Sequence, residues 1–337
     1  MPYTYQDDFG RAINYLRVSV TDRCNLRCVY CMPAEGIDKQ AHGEILRYEE
    51  IALVVRAAAE LGVRKVRLTG GEPLARLGVS DLVRMLAAIP GIDDLSMTTN
   101  GTLLARHAQA LAAAGLRRVN ISLDTLRPER FEQITRRGRL EDVWAGMAAA
   151  EAAGLAPIKL NMVVVRDLND DEVVDLAQRT VSDGWHVRFI ELMPIGANVD
   201  WAGGPPGAGG TVPIKEVRGR IEAALGPLAA VGPDRPAGNG PARYYHLPGA
   251  TGTVGFIAAI SEHFCRACNR LRLTADGRLR PCLMSDEELD LRPALRAGAD
   301  LEAVKEMLIQ AIRHKPERHR LDQAQAPQGR TMSEIGG

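Results

Sequence analysis

The sequence has few of the features that mark membrane, nucleic-acid-binding or secreted proteins. No stretch approaches the ~18 consecutive apolar residues of a transmembrane helix, and the first residues, MPYTYQDDFG, contain no basic and apolar signal segment. Lys plus Arg and Asp plus Glu both number 42, so no net charge draws the chain to nucleic acid or to a membrane surface. We therefore expect a cytoplasmic protein without nucleic-acid or membrane partners, whose anion sites come from local clusters of charge.

Cysteine is scarce and unevenly distributed along the chain. The six cysteines form two groups of three, namely Cys24, Cys28 and Cys31, and Cys265, Cys268 and Cys282. A disulfide framework is typical of short secreted chains, whereas tight groups in a long chain indicate metal binding. The sequence therefore predicts two metal sites.

Short β-rich segments alternate with helical patterns in the first part of the chain. The predicted strands are Leu16–Val20, Val66–Thr69, Leu95–Thr98, Val119–Leu123, Ile158–Val165 and Val187–Leu192. The predicted helices include Tyr48–Leu61, Leu103–Ala114, Leu140–Ala153 and Asp170–Ser182. This alternation predicts an α/β fold with about six parallel strands, either an open sheet or a partial barrel. In both folds we expect the active site at the carboxyl ends of the strands.

The pattern changes near residue 194, so we expect one domain over 1–193 and a second over 194–337. Pro194–Pro213 and Gly226–Gly249 are rich in Gly and Pro, which predicts extended loops. Within the first of these, Trp201–Gly210 is expected to be an elongated loop without a chemical role. The second cysteine group follows both loops and belongs to the C-terminal module.

The first cysteine group has the spacing Cys-x₃-Cys-x₂-Cys over residues 24–31. A cubane [4Fe–4S] cluster needs four ligands, so three thiolates leave one iron open to a small molecule. Tyr30 would place an aromatic ring beside that ligand. A zinc site completed by a nearby side chain such as His42 is the alternative, and the spacing favours iron and sulfur.

This group resembles the signature of the radical S-adenosylmethionine (SAM) superfamily, in which an aromatic residue precedes the third cysteine. Gly70-Gly71-Glu72-Pro73, at the end of the second predicted strand, is similar to the superfamily's GGEP motif. The resemblance implies a [4Fe–4S] cluster and bound SAM, with Gly71 at the methionine amino group. A glycine there agrees with close approach of the backbone to a ligand.

The second cysteine group surrounds a predicted hairpin, NRLRLTADGRLRPCL, at residues 269–283. Asp276-Gly277 is a turn signal, and the flanking residues alternate between arginine and leucine. The turn returns Cys282 to the neighbourhood of Leu271, and hence of Cys265 and Cys268. By spacing alone, a second cluster with an open iron and a Cys₃His zinc site using His263 are equally supported.

The arginines of this hairpin, together with Arg266, form a dense positive group beside the second metal site. Planar guanidinium groups suit a polyphosphate, although a solvated hairpin face would have the same sequence pattern. The substrate interpretation therefore depends on which arginines face the metal site.

From about Arg11 to Gly337 the chain resembles the GTP 3′,8-cyclase family of molybdenum cofactor biosynthesis. The resemblance implies a partial βα TIM-type barrel with a C-terminal auxiliary iron–sulfur module, two [4Fe–4S] clusters and SAM. A 5′-deoxyadenosyl radical would abstract hydrogen from C3′ of GTP, and the C3′ radical would attack C8. The product would be (8S)-3′,8-cyclo-7,8-dihydroguanosine 5′-triphosphate.

The implied partners are GTP, a reductant, and the cyclic pyranopterin monophosphate synthase that receives the product, while a homodimer stays open. Two competing functions also stay open at this point. One is another radical SAM enzyme with an auxiliary cluster, such as one that modifies peptides or proteins, and the other is a non-catalytic metal-binding or electron-transfer protein. Both cysteine groups are one ligand short of a complete cluster site, which disfavours electron transfer.

The resemblance also assigns site residues. The implied SAM contacts are Tyr30, Gly71, Ser122 and Met193. The implied GTP contacts are Arg17, Arg67, Thr98, Lys159, Arg270, Leu271 and Arg272. The implied catalytic residues are Arg17, Arg270, Arg272, Gly336 and Gly337. From physical chemistry alone, the last two residues would be a frayed chain end, and Met193 would be core packing.

Overall fold

The structure is a computed structural model and describes residues 4–196, 210–232, 236–238, 240–321 and 326–336. The strands are β1 Tyr15–Ser19, β2 Lys65–Thr69, β3 Asp94–Thr99, β4 Arg118–Ser122, β5 Lys159–Val164, β6 His186–Glu191, β7 Ala229–Ala230, β8 Arg243–His246, β9 Thr253–Ile257, β10 Arg270–Leu273, β11 Arg278–Arg280 and β12 Leu289–Asp290. The α-helices are α1 Tyr48–Glu60, α2 Val79–Ala87, α3 Leu104–Ala113, α4 Pro128–Thr135, α5 Leu140–Ala152, α6 Val173–Ser182, α7 Ile214–Leu225, α8 Arg292–Arg296 and α9 Leu301–Arg313.

All of these strands belong to one sheet, in the order β12-β11-β10-β1-β2-β3-β4-β5-β6-β9-β8-β7. Adjacent strands are parallel within the block β10-β1-β2-β3-β4-β5-β6-β9. The strands outside this block pair antiparallel at both edges. Within the described residues the sheet does not close, which confirms the α/β fold with a partial barrel.

The six predicted strands and the predicted helices are present, and their ends differ by at most one residue except at the start of one helix. The largest difference is at Asp170, where the predicted helix begins as a single 3₁₀ turn before α6. β1 is buried along its whole length, because helices cover one face of the sheet and the other face lines the barrel interior. A strand that is buried on both faces and flanked by helices is typical of this architecture.

The C-terminal module contributes strands to both ends of the same parallel block, which the sequence pattern did not indicate. β10 pairs with β1, and β9 pairs with β6, so the block contains two more parallel strands than the six predicted. The hairpin about Asp276-Gly277 forms as predicted, with Arg272 opposite Arg280. The domain boundary at residue 193/194 stays a prediction.

The structure describes parts of both Gly- and Pro-rich segments. Gly226–Gly249 was expected to be an extended loop, but it contains β7 and β8 at the sheet edge. That expectation was wrong because a short edge strand needs few residues and little periodicity. Of Trp201–Gly210, all but Gly210 lie outside the described residues. In the described part of the chain, no helix combines the length and apolar character needed to cross a membrane.

Candidate active site

One cavity inside the barrel is lined by all six cysteines. The first group follows β1 and therefore lies at the carboxyl ends of the parallel strands. Cys265 and Cys268 precede β10, which is parallel to β1, so they lie at the amino ends. Cys282 follows the antiparallel β11 and returns to that same end. The site therefore spans the barrel from end to end, whereas the sequence predicted it at the carboxyl ends alone.

A row of arginines crosses the middle of this cavity. Arg17 lies in register with Arg272 on one side and with Arg67 on the other. Their side chains line the cavity and are buried, and Arg67 donates from Nε to Ser96 Oγ at 3.2 Å. Burial, together with neighbouring cations, lowers the pKa of Arg17 to about 10 and that of Arg272 well below its usual value. Such a concentration of buried positive charge favours a polyanionic ligand.

Arg188 in β6 belongs to the same positive interior and was missed by the sequence analysis. It lines the cavity, and its Nε and Nη2 atoms have no hydrogen-bond partner among the described residues. Burial lowers its pKa. The available signal was a charged residue within an otherwise apolar strand, a feature that Arg188 shares with Arg17 and Lys159.

Lys159 is buried at the start of β5 and contacts a loop. Its Nζ donates to Pro236 O at 3.2 Å and to Ala237 O at 2.5 Å. Burial and the charges of Arg188 and Arg118 lower the pKa of Lys159 to about 6. Lys159 is not among the described side chains that line the cavity, so its contact with GTP stays a prediction.

The backbone around Gly71 holds the first cysteine loop in place. Gly71 N donates to Thr21 O and Glu72 N donates to Arg23 O, both at 2.8 Å. A Cβ at Gly71 would lie 2.4 Å from Arg23 O, so only glycine fits without displacing that loop. The GGEP segment therefore contacts the first cysteine loop through its main chain.

Glu72 links this segment to the end of β3. Its buried carboxylate accepts from Thr99 Oγ1 and Asn100 N at 2.8 Å, and from Leu74 N at 3.0 Å. Burial raises its pKa to about 7, although these hydrogen bonds oppose the shift. Asn100 Nδ2 in turn lies 3.9 Å from Cys24 Sγ. Glu72 thus joins two loops that border the first cysteine group.

The other predicted SAM residues lie at this carboxyl end of the cavity. Ser122, Met193 and Tyr30 line it, as does the predicted GTP residue Thr98. Tyr30 donates from its hydroxyl to Asp124 Oδ2 at 2.5 Å, which fixes the ring beside Cys31. Burial raises the pKa of Asp124 to about 6.

The thiols of the two groups have different surroundings. In the first group, burial raises the pKa of Cys24 to about 11 and that of Cys31 to about 12. In the second, burial acts in the same direction on Cys268, but the charges of Arg270 and Lys315 lower its pKa to about 6. Within the described residues, no three His, Cys, Asp or Glu side chains meet closely enough to hold a single metal ion.

The C-terminal tail enters the cavity beside the arginine row. Gly336 O accepts from Arg272 Nη1 at 2.9 Å and from Arg17 Nη2 at 3.1 Å. Gly336 has φ +68°, and a Cβ there would lie 2.2 Å from Thr69 Oγ1. Physical chemistry alone predicted a frayed chain end, and that prediction is wrong for Gly336. Gly337 lies outside the described residues.

The hairpin arginines fall into two groups: some line the cavity, and the others form ion pairs away from it. Arg270 and Arg272 line the cavity, whereas Arg280 is buried elsewhere and pairs with Glu288. Arg278 pairs with Asp290 at 3.0 Å. Arg266 is exposed and lies apart from the cavity lining.

Leu271 packs in the hydrophobic core with 1% exposure, because alternation along β10 points it away from the cavity. The structure therefore leaves only its main chain for the predicted GTP contact, which stays a prediction.

Two family models match consecutive parts of this chain. The radical SAM superfamily model matches residues 18–180, and the Molybdenum Cofactor Synthesis C model matches residues 185–321. The chain is 56% identical to the GTP 3′,8-cyclase of Pelotomaculum thermopropionicum, over 98% of this chain and 100% of that protein. It is 52% identical to the GTP 3′,8-cyclase of Moorella thermoacetica, with the same coverage.

Among solved structures, Streptococcus suis SuiB bound to the precursor peptide SuiA shares the fold. The TM-score is 0.61 at 12% identity, covering 94% of this chain and 77% of SuiB. The SAM-bound form of SuiB has a TM-score of 0.58 at 14% identity, covering 92% and 77%. The fold, the two cysteine groups and the full-length sequence identity agree, so this chain belongs to the GTP 3′,8-cyclase family of the radical SAM superfamily.

Proposed function

We propose that this protein converts GTP to (8S)-3′,8-cyclo-7,8-dihydroguanosine 5′-triphosphate, the first step of molybdenum cofactor biosynthesis. The observation that carries the proposal is one cavity with a three-cysteine group at each end and a row of buried arginines between them. Membership of the GTP 3′,8-cyclase family supports the same reaction.

The residues present fit two iron–sulfur clusters and SAM. Each end of the cavity offers three thiols, which is one ligand short of a cubane and leaves an iron open to a small molecule. At the first end, Cys24, Cys28 and Cys31 would hold the cluster, and the close backbone at Gly71 would receive the SAM methionine group. At the second end, the cluster would be held by Cys265, Cys268 and Cys282.

When bound and reduced, the first cluster and SAM supply a 5′-deoxyadenosyl radical. The residues of the chain hold the substrate where that radical is formed. Tyr30, fixed by Asp124, would flank SAM at the carboxyl end. Buried side chains such as Arg17 and Arg272 line the cavity, which limits the water that competes for the polar groups of the substrate.

The arginine row would bind the triphosphate. Arg17, Arg67 and Arg272 form a continuous cationic strip across three strands, and Arg270 extends it toward the second cysteine group. Guanidinium groups bind phosphate oxygens in a bidentate manner. With the triphosphate on this strip, the guanine would lie toward the second cysteine group, which lines the same cavity.

The Gly336 carbonyl shares two of these arginines with the substrate. It accepts hydrogen bonds from Arg17 and Arg272, so the tail orients both guanidinium groups. We assign the tail a positioning role in the reaction, and we extend that role to Gly337 as a prediction.

The remaining partners complete the proposal. A reductant must supply electrons to the first cluster, and the product would pass to the cyclic pyranopterin monophosphate synthase. Both steps fit a cytoplasmic enzyme, and a homodimer is compatible with them.

The test is anaerobic turnover of the reconstituted, reduced enzyme with SAM and GTP. Ring closure removes two hydrogens and the dihydro form restores two, so the product has the mass of GTP. It must therefore be separated from GTP by chromatography before its mass is measured. The proposal predicts a new nucleotide of this mass together with 5′-deoxyadenosine, and neither a new nucleotide nor stimulation of SAM cleavage with ATP. SAM cleavage that ignores GTP and yields no new nucleotide would refute it.

A further inference from the structure

We propose that the ammonium group of Lys315 is the resident counter-charge of the second cysteine group and sets the reduction potential of the cluster bound there. The inference rests on the proposed function in one respect, because it needs a [4Fe–4S] cluster at Cys265, Cys268 and Cys282. Lys315 would be a positioning residue that acts on the cluster electrostatically and takes no part in hydrogen or group transfer.

Lys315 is placed between the two halves of the second cysteine group. It follows α9 and is 2% exposed. Its Nζ donates to Pro281 O at 2.6 Å and to Arg270 O at 2.8 Å. Pro281 directly precedes Cys282, and Arg270 lies two residues after Cys268. The ammonium group therefore bridges the segments that carry these two cysteines, and it also lines the cavity.

The third cysteine is tied to the same segment by Arg11. Arg11 Nη1 donates to Cys265 O at 3.0 Å and to Glu317 O at 2.9 Å. The charge of Arg11 is balanced by Asp7, whose carboxylate lies 2.5 Å away. Arg11 therefore fixes the geometry of this region while adding little net charge to it.

The charge of Lys315 is not balanced in this way. In the part of the chain that the structure describes, its hydrogen bonds go to neutral carbonyls, and no carboxylate pairs with it. Burial lowers the pKa of Lys315, while Cys268 and Cys282 favour its charged form and Arg270 and Arg11 disfavour it. A buried cation normally has an anionic partner. Here the available partner is a cluster bound by thiolates.

Arg270 is a further cation close to these cysteines, but it also lies where the substrate is proposed to bind. Its guanidinium lies over the ring of Phe264, 4.9 Å from the centroid, and it lines the cavity where the triphosphate is proposed to bind. A bound polyphosphate would neutralise it. Lys315, held by main-chain carbonyls, would keep its charge on the cluster with or without substrate.

A fixed positive charge stabilises the reduced cluster more than the oxidised one, because the reduced cluster carries one more negative charge. Loss of that charge must make the reduction potential more negative. At a fixed solution potential, we expect the ratio of oxidised to reduced cluster to rise at least tenfold. This corresponds to a reduction potential lower by about 59 mV for a one-electron couple.

The experiment is an anaerobic redox titration followed by electron paramagnetic resonance. The titration uses the full chain with Cys24, Cys28 and Cys31 replaced by alanine, so that the signal comes from the second cluster. In this background, Lys315→Met removes the charge, Lys315→Gln also removes it but keeps a hydrogen-bond donor, and Lys315→Arg keeps it. Lys305→Met is the matched control, because Lys305 lies on α9 and pairs with Glu302 and Glu60 at the surface.

We expect a more negative potential for Lys315→Met and Lys315→Gln, and an unchanged potential for Lys315→Arg and Lys305→Met. An unchanged potential in either neutral variant with four irons bound would overturn the proposal. Loss of the cluster from both neutral variants would also overturn it, because Lys315 would then hold the site together instead of tuning it. If the unmodified second group binds no iron, the proposed function itself fails, and iron analysis separates that outcome from the others.

Discussion

The two cysteine groups lie at opposite ends of one cavity, and different parts of the chain build them. The first group sits in a loop after β1 that is held by backbone hydrogen bonds to Gly71 and Glu72. The second sits around the β10–β11 hairpin and is surrounded by the side-chain cations Arg270, Lys315 and Arg11. A main-chain cradle suits a small zwitterionic ligand such as SAM, whereas a cationic frame suits an anionic one. The difference supports the proposal that SAM and GTP bind at opposite ends of the cavity.

The nearby cations show the same contrast. Arg27 is buried beside the first group, but its Nη1 donates to Leu26 O at 2.7 Å and to Cys24 O at 2.8 Å, which shapes the loop. At the second group, Arg270 lines the open cavity. This contrast agrees with the proposal that a cofactor binds at the first end and the substrate at the second.

The largest expected effect comes from removing one cysteine group at a time. Replacing Cys24, Cys28 and Cys31 with alanine should abolish 5′-deoxyadenosine formation, because SAM loses its cluster. Replacing Cys265, Cys268 and Cys282 should leave uncoupled SAM cleavage without any cyclised nucleotide. Both products can be quantified by chromatography after anaerobic incubation. Cyclised product from the second triple variant would show that the two ends do not differ in function.

Deleting Gly336 and Gly337 should reduce turnover strongly while both clusters remain. The deletion removes the carbonyl that accepts from Arg17 and Arg272. Each hydrogen bond to a charged group contributes about 1.5–3 kcal/mol, so we expect a loss of roughly 10–150-fold or more. Turnover is measured alongside iron content and circular dichroism. Normal turnover in the truncated enzyme would mean that the tail only fills space.

Substituting the cavity arginines of the hairpin should weaken GTP binding. Arg270→Ala and Arg272→Ala each remove a charged donor, so we expect affinity to fall roughly 10–150-fold. Arg278→Ala is the matched control from the same hairpin, because Arg278 pairs with Asp290 outside the cavity lining. Anaerobic binding measurements with both clusters present give the comparison. Affinities within about threefold of the unmodified protein for both cavity variants would remove the triphosphate assignment.

The smallest effect is expected from the anchor of the tail. Arg330 Nη2 lies 2.8 Å from Asp276 in the hairpin turn, and Nε lies 2.7 Å from Glu288. Breaking a partly buried pair costs about 1 kcal/mol, so Arg330→Ala should release the tail roughly fivefold more often. Carboxypeptidase digestion of the tail measures this release. Arg139→Ala, which breaks an exposed pair with Glu141, is the control, and equal digestion of both variants would contradict the anchor.

The sequence predicted the first end of the site better than the second. Buried apolar strands and glycine-terminated helices give local patterns, so β1–β6 and the loop that carries Cys24 could be located directly. The pairing of β10 with β1 joins segments about 250 residues apart, and no local pattern encodes such a partner. Only that pairing brings Arg272 beside Arg17.

Arg188 and Lys315 were missed by the sequence analysis, because no sequence motif singles out either residue. Arg188 had the same signal as Arg17, a charge in an apolar strand, but it matched no motif. Lys315 follows a helix in an ordinary polar segment, and its burial is a consequence of tertiary packing alone. Gly336 was implied by the family resemblance alone, because a sequence does not reveal a left-handed backbone conformation at a chain end.

The most direct test of the account uses GTP that carries deuterium at C3′. If SAM and GTP meet in one cavity between the two cysteine groups, the hydrogen at C3′ passes to the 5′-deoxyadenosyl group. Mass spectrometry after a single turnover should then find one deuterium in 5′-deoxyadenosine. Formation of 5′-deoxyadenosine without deuterium, in a reaction that consumes the labelled GTP, would contradict the account.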